Sequence, residues 1–161
     1  NTDPLTGLFN RRGLEHRVRS DWDNNRGTTN AVILLDLDTF KEVNDDHGHA
    51  AGDEVLTGLA GVMLSSLRDT DYPVRLGGDE FALVLLDTDW SEATAVAERV
   101  RRELARVLAD GDLPPTTVSA GVATAINSAL SDAMHAADSA LRAAKAGGRD
   151  RVALADPQIS A

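Results

Sequence analysis

The sequence contains no cysteine, which excludes a disulfide framework and thiolate metal sites. It has no apolar run near the ~18 residues of a membrane-spanning helix, and no secretory signal pattern is visible. The expectation is a cytoplasmic domain that makes no membrane contact of its own. Cations are scarce: 16 Lys and Arg face 26 Asp and Glu, for a net charge of −10. A nucleic-acid coat is therefore not expected, although local cations can still meet the phosphates of a nucleotide. There are only four histidines, and His47 and His49 lack the partners of a zinc site. Low-complexity segments, repeats and linkers are absent. What is present is 161 residues with 42% hydrophobic content, enough for one domain with a real core. The first residue is Asn1, so the sequence is expected to be part of a longer regulated protein whose sensory or regulatory region lies elsewhere.

Periodicity predicts the elements. Leu14, Val18 and Trp22, spaced by four, predict a helix from about Asn10 to Asp23. Ala31–Asp38 is nearly continuous apolar sequence broken by Asp36, which predicts a strand buried on both faces. Residues 44–49 read as a polar break, and Asp53 as the N-cap of a helix carrying Leu56, Leu59, Ala60, Met63 and Leu67. Two apolar runs flank Gly77-Gly78 and predict a hairpin, with glycine supplying φ > 0 or a close backbone approach. A helix from near Ser91, a strand around Val118–Val122, a helix stopped by Gly147-Gly148 and a short strand at Arg151–Leu154 complete the chain. The expected fold is α/β (α+β): a single domain, residues 1–161, with a mixed sheet flanked by helices.

The candidate chemistry is acidic. Asp36 and Asp38 end the first strand, and Asp79 and Glu80 sit on the hairpin turn. If strand and hairpin are neighbours, these acids converge and Asp36 with Asp79 can hold Mg²⁺, a hard ion that takes oxygen ligands. A carboxylate inside a buried strand is costly without a partner, which favours a function for Asp36. Lys41 by itself reads as a solvated helix lysine. Asn44 and Asp53 by themselves read as helix caps. Lys145 and Arg149, flanking a glycine pair, suit either a helix dipole or a phosphate clamp. Arg68 with Asp71 reads as a surface pair, and Arg99 as part of a solvated helix face.

The segments Asp3–Arg12, Asp36–Asp45, His47–Asp53, Gly77-Gly78-Asp79-Glu80-Phe81, Val118–Ala123 and Ala137–Arg149 together resemble, in order, the motifs of the GGDEF family of diguanylate cyclases. The resemblance implies a palm-like fold with a ferredoxin-like β-α-β-β-α-β core, related to adenylyl cyclase catalytic domains. It implies condensation of two GTP into cyclic di-GMP across a head-to-head homodimer, with Mg²⁺ (or Mn²⁺) as cofactor. By position, Asp36, Asp79 and the Leu37 carbonyl match metal ligands, with Glu80 a further acid. Asp79 also matches the acid that helps deprotonate the 3′-hydroxyl, with Glu80 and Lys41 beside it in the catalytic group. Asn44 and Asp53 match a guanine-reading pair, which suits the donors and acceptors of guanine. Phe40, His49, Gly77, Gly78, Lys145 and Arg149 match positions lining or holding the nucleotide. Arg68 and Asp71 form an R-x-x-D string, with five residues separating Asp71 from Gly77, that matches the site where the product inhibits, with Arg99 a further contact. One departure is visible: the family often has Tyr where Arg142 stands. The alternative is a catalytically weak module that binds GTP or cyclic di-GMP and signals to a partner.

Overall fold

The structure is a computed structural model that describes residues 1–155. Its centre is strand β1 (Asn30–Leu37), whose residues alternate between two cores. Ala31, Ile33, Leu35 and Leu37 enter one core; Val32 and Leu34 enter the other. The first core is closed by helices α4 (His49–Ser65) and α5 (Trp90–Asp110). The second is closed by an N-terminal helix and by α6 (Leu130–Ala146). The expectation of a strand buried on both faces holds, and the position after Leu35 is therefore Asp36 on the α6 side.

The hairpin strands β2 (Tyr72–Arg75) and β3 (Glu80–Leu85), with β4 (Val118–Ala125) and β5 (Val152–Leu154), complete a five-stranded sheet ordered β2-β3-β1-β4-β5. All pairings are antiparallel except β4 with β5. The hairpin thus lies beside β1, and Asp36 stands directly opposite Glu80. Among the described residues no helix is long and apolar enough to cross a membrane.

Three expectations need correction. The N-terminal helix is not uniform: α1 (Arg11–Gly13) and α2 (Arg19–Asn24) flank a π-helical turn, Leu14–Val18, which still buries Leu14, Val18 and Trp22. The polar run at 44–49 is not a break. Helix α3 (Phe40–His47) continues through Asn44, Asp45 and Asp46 and is interrupted only by Gly48, at φ 89°. Helix α4 then starts at His49, so Asp53 lies inside its second turn and caps nothing. Helix α5 does have a full capping box, in which Asp89 accepts from Glu92 N–H and Glu92 reaches back to Asp89 N–H.

Candidate active site

Asp36 is largely enclosed and only partly satisfied. Its side chain is only 14% exposed, and Lys145, arriving on α6, donates to its Oδ2. Its Oδ1 is buried and has no hydrogen-bond partner. Burial pushes the carboxyl above its usual pKa, the nearby Asp79 charge adds to that, and Lys145 works against it. A buried oxygen without a donor costs on the order of 1–3 kcal/mol. A hard cation at this oxygen would remove that cost, so the residues fit a divalent ion. Among the described residues no three of His, Cys, Asp and Glu form a closed cage. An ion at Asp36 would therefore need oxygens from a ligand to complete its shell.

The hairpin brings the second acid to the first. Leu37 N–H donates to the Asp79 carbonyl at 3.2 Å, which locks the turn onto the end of β1. Asp79 is half-buried and Glu80 exposed. Asp36 and Glu80 line a cavity of ≈ 280 Å³, along with Leu34, Phe81, Leu141 and Lys145. Asp38, expected to join these acids, does not. Its carboxylate accepts from Thr117 Oγ1 (2.5 Å), Ser119 Oγ (2.6 Å) and Asp150 N–H (3.1 Å), so it ties β1 to β4 and to the turn after α6.

Gly77 and Gly78 differ from expectation in an informative way. Neither has a positive φ, and a Cβ on either would meet nothing within 4 Å. The fold itself does not require glycine at these two positions. The shape of the turn is set instead by Arg75, which donates to the carbonyls of Gly77 (3.2 Å) and Gly78 (2.9 Å). Arg75 is in turn paired with Asp3 at 3.1 Å. Burial works against the Asp3 charge, but hydrogen bonds from Thr6 and Arg75 outweigh it and hold the Asp3 pKa below its usual value. Neither Asp3 nor Arg75 stands out as a site residue in the sequence, because their 72-residue separation carries no spacing signal.

Asn44 packs against Gly52, the residue before Asp53. A Cβ on Gly52 would lie 1.9 Å from Asn44 Oδ1, so the Asn44 amide rests directly on the α4 backbone beside Asp53. Asp53 is exposed and Asn44 half-buried. Phe40 is half-buried at the start of α3, and Lys41 and His49 are exposed. Gly52 is the residue that sequence reasoning missed here; its only signal is its position immediately before Asp53. Arg149 is exposed at φ 64°, between Gly148 (φ 123°) and Asp150 (φ 48°), on a turn pinned by Asp38 and by Arg101 to Asp150 (3.0 Å).

Arg68 and Asp71 are more than a surface pair. Asp71 has a side-chain exposure of 4% and accepts from Arg68 N–H at 2.9 Å. Arg68 also donates to the Leu86 carbonyl (3.0 Å) and Thr88 Oγ1 (2.6 Å), beside the start of α5. Arg99 lies exposed on α5.

Residues 1–151 match the family model described as "Diguanylate cyclase, GGDEF domain". The chain belongs to the GGDEF domain family. It is 40% identical over 166 residues to the probable diguanylate cyclase DgcE of Escherichia coli K12, covering 99% of this chain and 15% of that relative. The GGDEF domain of DgcB from Caulobacter crescentus, in complex with c-di-GMP, superposes with a TM-score of 0.87 at 30% identity, covering 95% of this chain and 94% of that one. Diguanylate cyclase SiaD from Pseudomonas aeruginosa, in complex with its activator SiaC, gives a TM-score of 0.87 at 40% identity, covering 96% and 61%. The curated relatives are longer: the chain spans 15% of DgcE, 35% of DgcT and 24% of DgcP. The five-stranded sheet with its flanking helices is thus the palm-like fold expected for a GGDEF domain.

Proposed function

We propose that this GGDEF domain condenses two GTP molecules into cyclic di-GMP, releasing two pyrophosphates. The observation that carries the reading is the buried Asp36 with its unpartnered Oδ1, set beside Asp79 at an open glycine turn. Asp36, Asp79 and the Leu37 carbonyl would hold a divalent ion, Mg²⁺ or Mn²⁺, with Glu80 adjacent. Bound there, the ion would polarise the α-phosphate and favour ionisation of the attacking 3′-hydroxyl. Asp79, at the tip of the hairpin, accepts that proton. Lys145, Lys41 and Arg149 offset the charge of the triphosphate and of the leaving pyrophosphate. Asn44 and Asp53 read guanine: the Asn amide donates to O6 and the Asp carboxylate accepts from N1–H and N2–H, which an adenine cannot satisfy. Gly77 and Gly78 leave the turn bare so that the nucleotide can approach its backbone, consistent with a Cβ space that the protein itself leaves empty.

Each domain holds one GTP, so the reaction needs a homodimer facing hairpin to hairpin. Product control through Arg68, Asp71 and Arg99 belongs to the same proposal: an exposed guanidinium fork suits a guanine edge or a phosphate. Input from a further region of the protein does too, and relatives several times longer than this chain support it. The test is turnover with GTP and with ATP in Mg²⁺, product followed by chromatography, for the wild type and Asp79→Ala. Cyclic di-GMP from GTP alone, lost in a folded Asp79→Ala protein, is expected. ATP turnover above GTP turnover, or full activity of Asp79→Ala, would overturn the assignment.

A further inference from the structure

The cavity at Asp36 has a second cation that no motif accounts for. Arg142 lines it with Asp36, Glu80, Asp138 and Lys145. Asp138, Leu141, Arg142 and Lys145 are spaced by three, four and seven on α6, so one helix stripe builds this wall. Lys145 is engaged by Asp36 and is 32% exposed. Arg142 is 81% exposed, and its only ion-pair partner among the described residues is Asp138, at 2.9 Å across one turn. An i,i+4 pair this open restrains the guanidinium weakly and surrenders it easily to a better anion. Arg142 lies one turn before Lys145, about 4.5 Å along the helix axis. A polyphosphate held by Lys145 is therefore within reach of a five-donor planar fork, the group best matched to phosphate oxygens.

We infer that Arg142 is a binding residue for the β- and γ-phosphates of the nucleotide, an addition to this chain's site rather than a part of its motifs. The inference rests on the cyclase reading above. It predicts selectivity by phosphate number: loss of Arg142 weakens triphosphate binding and leaves monophosphate binding alone. The unpaired Asp138 carboxylate then remains exposed, so the fold does not suffer.

The experiment is calorimetry in Mg²⁺ with a non-hydrolysable GTP analogue and with GMP, on the wild type, Arg142→Ala, Arg142→Glu and Arg142→Lys, with melting temperatures alongside. The expected result is a roughly three- to tenfold rise in analogue Kd for Arg142→Ala, a larger rise for Arg142→Glu, partial recovery in Arg142→Lys, and an unchanged GMP Kd throughout. Equal analogue affinity in wild type and variants would overturn the role of Arg142 alone. So would an equal loss for analogue and GMP, which marks a structural effect. A wild type that binds neither nucleotide would overturn the cyclase reading with it.

Discussion

Asp36 interrupts the apolar run Ala31–Leu37, and it is the site acid whose pKa the fold raises, burial first. Its carboxylate is desolvated, partly compensated by Lys145, and left with one bare oxygen. Burial raises the Asp36 pKa, so its charge works against folding, and Lys145, 32% exposed, can be rehydrated when that charge is removed. Asp36→Asn is therefore expected to melt no lower than the wild type, within about 1 kcal/mol, while Mg²⁺ with a GTP analogue no longer raises its melting temperature. A marked loss of stability with the ligand shift intact would mean that Asp36 is structural. The residue's importance was legible in the sequence because an acid in a buried strand needs a reason. Its partner was not, since Lys145 lies 109 residues away and only packing of α6 on β1 brings them together. A separation of 72 residues likewise hid the pairing of Asp3 with Arg75.

At the scale of elements, the region proposed to read the nucleotide is the junction of α3 and α4. The sequence of polar residues from Asn44 to His49 suggested a loop, because six consecutive polar or glycine positions carry no apolar period. The helix persists because Val43 still anchors it, and the chain turns at Gly48 alone. The turn lays Asn44 over Gly52, so the approach of the two helices sets the position of the amide. Gly52→Ala is expected to push Asn44 aside and weaken GTP binding by an order of magnitude or more, with circular dichroism little changed; unaltered affinity would show that the amide has room to move. The hairpin depends on another such tie, Asp3 to Arg75. The Asp3 pKa is lowered in the fold from 3.8. Its contribution to stability is therefore complete above the unfolded value and is lost as the pH falls through the folded one. Arg75→Met should melt below the wild type at neutral pH. That gap should narrow as the pH falls below about 4, which paired thermal scans would reveal; a gap constant with pH would assign the effect to packing.

At the scale of the whole molecule, two cores sandwich the sheet, and α6 must approach it closely to deliver Lys145. Gly121 on β4 makes that approach possible: a Cβ there would lie 2.2 Å from the Ala137 carbonyl and 2.3 Å from Leu141 N, both backbone atoms that cannot swing away. Gly121→Ala should cost more than about 3 kcal/mol in denaturant unfolding, far more than an exposed substitution such as Arg142→Ala, and a cost below 1 kcal/mol would show that α6 can shift. The succession of strands and helices along the chain and the two-sided burial of β1 were legible from apolar runs and glycine turns, since these report sheet burial directly. The use of Asp38 as a tie to β4 was not, because a strand-end acid looks the same whether it faces a ligand or a pair of hydroxyls. In the proposed reaction each copy holds one GTP, and the product forms between two copies. The most direct measurement is cyclic di-GMP formation from GTP and Mg²⁺ as a function of protein concentration. The expected result is product whose rate per protein molecule rises with concentration and levels off as dimers fill. No product at any concentration, including from a tandem fusion of two copies, would contradict it.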